Sequence, residues 1–86
     1  MGQQMTDKLI NLIIEVDKKD SSFIYFTFEA NEGLCFYSTL DHQEGDQTRM
    51  IEFNITSSLK NEFLTVFNFL KESIDIKIIS DFKICD

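Results

Sequence analysis

Eighty-six residues with 43% hydrophobic content and no tryptophan make one core at most, because two cores from so short a chain cannot offset the conformational entropy lost on ordering it. Fifteen acidic against eight basic residues give a formal charge of −7, which repels a phosphate backbone and excludes nucleic acid as an expected partner. The apolar runs are too short to span a bilayer, and Cys35 with Cys85 fit reduced thiols of a cytoplasmic protein better than a disulfide framework.

Met1 to Thr6 match the pattern that myristoylates Gly2, yet no basic patch follows to supply a second membrane signal. Residues 1–7 therefore read as a disordered leader in which Met5 offers a second start, and no membrane association is expected. From Lys8 to Val16, Ile10, Leu12, Ile14 and Val16 alternate with Leu9, Asn11, Ile13 and Glu15, which predicts a strand. Apolar residues on its second side make it a central strand. Asp17 to Ser22 break the alternation with charge and hydroxyls, the chemistry of a turn and a helix cap.

Phe23 to Phe28 read two ways. Aromatic and β-branched content favours a strand, which would give a meander with a single helix. The capping candidates Asp20, Ser21 and Ser22, a stripe of Phe23, Phe26, Thr27 and Ala30, and Gly33 beyond it predict a helix from about Ser21 to Asn31.

Leu34 to Leu40 and Thr48 to Ile55 alternate again and flank a polar loop, predicting a hairpin. Thr56, Ser57 and Ser58 offer caps for a second helix whose apolar stripe is Leu59, Phe63, Val66, Phe67 and Leu70. Ile74, Ile76 and Ile78 mark a last strand, leaving residues 81–86 as a tail to a single domain over 8–80. The order strand, helix, strand, strand, helix, strand is that of the ferredoxin-like split unit: an α+β, βαββαβ two-layer sandwich with two helices on one face of a four-stranded antiparallel sheet. Its first and third strands lie in the centre.

Val16-Asp17, Ala30-Asn31-Glu32-Gly33-Leu34 and Ser38-Thr39-Leu40-Asp41 resemble an uncharacterised bacterial family of short domains of unknown function with an ACT-like, ferredoxin-type fold. The likeness covers roughly Leu9 to Leu70. It implies a helix over Phe23 to Phe28 and no reaction. An ACT-like fold also implies that the turn between first strand and first helix contributes to a small-ligand site, here Asp17, Asp20, Ser21 and Ser22. Backbone N–H groups at the helix start would receive a carboxylate and Asp17 or Asp20 an ammonium. Turn and cap chemistry alone accounts for the same four residues.

No catalytic constellation is legible. His42 is the sole histidine and lies in a polar loop with Asp41, Glu44 and Asp46, without the donors a zinc site needs. Cys35 and Cys85 have no neighbouring base, the serine pairs precede helices, and the three glycines are isolated. The expectation is no enzyme, no metal and no cofactor. The sheet face away from the helices is expected to present Leu9, Ile13, Tyr37, Met50 and Ile79, an apolar patch that predicts a homodimer or a protein partner. The expected function is thus a self-associating regulatory or protein-interaction module, with a sensor of amino-acid-like molecules at the first turn as the alternative.

Overall fold

Alternation along two nine-residue strands sets the architecture. The computed structural model of the chain describes residues 8–40 and 45–85; the expected leader and most of the hairpin loop, His42 included, lie outside them. The elements are β1 (Leu9–Asp17), α1 (Lys18–Ala30), β2 (Phe36–Thr39), β3 (Thr48–Thr56), α2 (Lys60–Ser73) and β4 (Lys77–Cys85). They form one four-stranded sheet in the order β2-β3-β1-β4 with every neighbouring pair antiparallel. This is the expected α+β fold, with β1 and β3 in the centre.

Central position follows from the residues. Leu12, Ile14, Ile51, Phe53 and Ile55 are fully buried on one side, where they meet Ile24 and Phe28 of α1 and Phe63, Phe67 and Leu70 of α2. Each such side chain contributes about 1.5–3 kcal/mol of transfer free energy. Phe63 is the hub of the aromatic packing, with ring centroids 5.5 Å from Phe28, 5.4 Å from Phe53 and 5.5 Å from Phe67.

Besides β2, which covers only Phe36–Thr39 of the expected Leu34 to Leu40, three elements depart from the sequence-based expectation. Helix α1 begins at Lys18, three residues early, because Asp17 still pairs with Thr48 and the Lys18 N–H donates to the Gln47 carbonyl at 2.8 Å. The strand thus passes into the helix without a loop, and the presumed turn is the first turn of α1. Its buried face is Ser21, Ile24 and Phe28, not the stripe of Phe23, Phe26, Thr27 and Ala30. Five of the six residues from Phe23 to Phe28 are apolar, so hydrophobicity could not choose the face; the small Ser21, donating to the Lys18 carbonyl at 2.8 Å, lets the helix approach the sheet. Helix formation wins over strand propensity because it buries Ile24 and Phe28 at a four-residue spacing.

The second correction concerns α2. It is entered through a 3-10 turn over Ser57–Leu59, and no side chain caps it. Ser57 instead ties to the start of β1, its N–H donating to the Lys8 carbonyl at 2.8 Å and its Oγ accepting from the Lys8 N–H at 3.1 Å. The stripe of Phe63, Phe67 and Leu70 is buried as expected, with Leu59 and Val66 against it. Third, β4 starts later and runs through the expected tail to Cys85, where Phe82 meets Phe63 edge-on at 6.3 Å. Its pairing with β1 shifts register twice, between Asn11 and Ile13 and between Ile13 and Ile14. At the end of α1, Gly33 has φ +84°, a left-handed conformation that glycine adopts without penalty.

Candidate functional site

The strand-to-helix turn separates the four residues assigned to it. Asp17 stands at the N-cap position with extended backbone and no side-chain cap hydrogen bond. Asp17 and Ser22 line a cleft of about 560 Å³ with Lys18, Lys19 and Gln47. Asp20 lies with Asp17 in a second cleft of about 310 Å³, shared with Lys19, Lys71, Glu72, Ser73, Ile74 and Asp75. Ser21 reaches neither, since it is buried and its hydroxyl is held by the Lys18 carbonyl. The first backbone N–H of the helix, at Lys18, already serves Gln47.

The open side of the sheet differs from its expected character. Tyr37 is not on it: its pairing with Phe53 turns it to the helix side, where it stacks on Tyr25 with centroids 5.6 Å apart and its hydroxyl donates to Glu29 at 3.2 Å. Tyr25 and Thr39 join their hydroxyls beside it. Desolvation, then the Glu29 carboxylate, raises the Tyr37 phenol above its ordinary value. Phe36, one residue earlier, takes the open side and is exposed. The pairs Asn11 with Asn54 and Glu15 with Met50 place a polar row across the middle. There Asn11 Nδ2 donates to Glu52 Oε2 at 2.9 Å and Asn54 Oδ1 at 3.0 Å, and Thr48 donates to Glu15 at 3.1 Å. Ile13 and Met50 are half-buried within that row, Leu9 is 39% exposed at the start of β1, and Ile79, where the register of β4 shifts, is 44% exposed. Of the five residues expected on this face, Tyr37 is thus turned away, while Leu9, Ile13 and Met50 remain on it beside the exposed Phe36, interleaved with Asn11, Glu15, Glu52 and Asn54.

Exposed aromatic surface lies on the helix layer as well. Phe26 is 72%, Phe69 58% and Phe23 38% exposed. Lys19, Phe23, Phe26 and Ala30 follow one another at helical spacing on the outer side of α1. Thr65 and Phe69 do so on α2. Thr65 and Val66 also line a groove of about 420 Å³ between the end of α1 and the start of α2, completed by Asn31, Glu32, Gly33, Leu34, Leu59 and Glu62. Sequence reasoning missed this surface because it assigned Phe23 and Phe26 to the core. Phe69 did carry a signal, since it falls off the apolar stripe of its own helix.

Cys35 is a half-buried packing residue against the core, and burial pushes its thiol up to about 12. A protonated thiol at neutral pH is a poor nucleophile. No group of three or more His, Cys, Asp or Glu able to hold a metal occurs among the described residues. Among them, too, no helix is long and apolar enough to cross a membrane. No family model, curated protein or solved structure matches the chain.

Proposed function

We propose that this domain is a non-enzymatic protein-interaction module that docks through the outer side of its helix layer. The observation that carries this reading is the exposure of Phe23, Phe26 and Phe69 together on the outer sides of α1 and α2. Large aromatic side chains left in water on neighbouring helices cost solubility and are the usual anchors of protein contacts. A photoreactive phenylalanine analogue placed at position 26, in cells producing the chain, is expected to give discrete crosslinked adducts. The same analogue in place of Lys83, on the open sheet face, gives none. Equal patterns at the two positions, or no adduct at 26, refute the reading.

A second reading, a sensor of amino-acid-like molecules, is favoured by the cleft at Asp17, Lys18, Lys19, Ser22 and Gln47. It offers a carboxylate for an ammonium group and two ammonium groups for a carboxylate. On this reading at least one compound in a thermal-shift panel of amino acids and nucleotides raises the melting temperature by about 4 °C or more at saturation, as roughly 1 kcal/mol of linkage would in a domain of this size. Asp17→Ala and Asp20→Ala identify which of the two clefts responds. A flat panel removes the sensor.

A further inference from the structure

We infer that the seam between α1 and α2 receives an amphipathic helix of another protein, apolar along one side and carrying Lys or Arg at both ends. The inference rests on the interaction-module reading above and specifies the partner's chemistry. The helices run antiparallel, since the end of α1 meets the start of α2 around one groove and the start of α1 meets the end of α2 around another. At the first end the floor is Leu34, Leu59 and Val66, and among the described residues the charged ones lining it are Glu32 and Glu62. At the other end Asp17, Asp20, Glu72 and Asp75 face Lys19 and Lys71. The four carboxylates outnumber the two ammonium groups, and Lys71 also places its Nζ 5.8 Å from the Phe67 ring centroid. Between the two ends stand Phe23, Phe26 and Phe69.

Along the seam the surface is therefore acidic, then apolar, then acidic, and its complement is basic, apolar, basic. An amphipathic helix laid in a groove supplies that sequence with anchors at three- and four-residue steps. The 13 residues of α1 span about 20 Å, which matches a partner helix of about 14 residues. Basic ends would steer the approach and set the axis, while the aromatic middle holds the complex. A second copy of this chain is the poorer occupant. It carries the same −7 charge, and a two-fold contact would bring acidic ends against acidic ends whichever way the seams were paired.

The test uses a fluorescent peptide of about 14 residues with Leu at helical spacing and Lys at both ends. Its controls are the same peptide with Glu for Lys and one with the Leu positions scrambled. Anisotropy titrations are expected to show the Lys peptide binding at least about tenfold more tightly than either control. Raising salt from about 50 to 300 mM should weaken it several-fold. Phe26→Ser with Phe69→Ser should cost about tenfold or more, and Glu32→Gln with Glu62→Gln should reduce the salt dependence, both with melting temperatures near the parent's because these positions are exposed. Equal binding of the Lys and Glu peptides, or of ordered and scrambled Leu, overturns the inference. So does a light-scattering mass of two chains that falls to one in the Phe26→Ser, Phe69→Ser protein, which would seat a second copy in the seam. Adducts at position 26 together with failure of the Lys peptide retire the basic helix alone; failure of both retires the module reading with it.

Discussion

Phe63→Ala is expected to remove about 3–5 kcal/mol of stability, the usual cost of truncating a fully buried phenylalanine. Phe63 has no exposed surface, and its ring meets Phe28 from α1, Phe53 from β3, Phe67 from its own helix and Phe82 from β4. Helix–sheet and edge-strand packing therefore meet at one side chain, and the cavity cannot collapse from a single direction. A domain of 86 residues has a total stability of about 4–13 kcal/mol. The variant should consequently melt more than about 12 °C below the parent, or be partly unfolded at room temperature. Phe26→Ala removes a ring of the same size and should alter the denaturation midpoint by no more than about 0.5 kcal/mol equivalent. Urea unfolding followed by circular dichroism checks both. Comparable losses at the two positions would contradict the face of α1 described above.

Asn11→Asp is expected to have the next largest effect, and one that depends on pH. Asn11 Nδ2 donates to both Glu52 and Asn54 across the open side of the sheet. The isosteric carboxylate has no hydrogens to donate. It loses both bonds and sets a negative charge at hydrogen-bonding distance from the Glu52 carboxylate, which should cost about 2–4 kcal/mol at neutral pH. Two carboxylates at this spacing raise each other's pKa in the folded state above the unfolded value of about 4. A raised folded-state pKa means that the penalty is small below about pH 4, grows as pH rises through the folded value and is constant above it. Stability of the variant relative to the parent should therefore recover on acidification. Denaturant midpoints measured from pH 3.5 to 7.5 decide the matter, and a gap independent of pH would exclude the charge repulsion.

Much of the fold was legible because periodicity is strongest where one side of an element is buried and the other is not. β1, β3 and α2 have that property, and their apolar positions coincide with the buried ones at Leu12, Ile14, Ile51, Phe53, Phe63, Phe67 and Leu70. α1 lacks it. With phenylalanine, isoleucine or tyrosine at nearly every position from Phe23 to Phe28, the rotation of the helix is decided by the fit of Ser21, Ile24 and Phe28 to the sheet, which is a tertiary fact. Tyr37 failed for a related reason. A four-residue strand has too little pattern to declare its sides, and its orientation is inherited from register with β3. Both errors moved aromatic residues between the core and the surface, so the candidate site was less legible than the fold. The turn residues Asp17 and Asp20 could be found by composition, whereas the seam joins residues some forty positions apart and exists only once the helices lie side by side.

The two register shifts of β4 also bear on what the domain avoids. A regular nine-residue edge strand bearing Ile78, Ile79 and Ile84, all partly exposed, would be a template for further strands and ultimately for fibrils. Bulges twist such an edge away from straight pairing, and Lys77, Asp81 and Lys83 place charges along it. At the opposite border β2 offers only four residues, too few for a durable intermolecular ladder. Both borders of the sheet are thus guarded against backbone-driven association. On the proposed reading, closed borders leave the aromatic seam to meet other chains by side-chain fit, not by strand exchange.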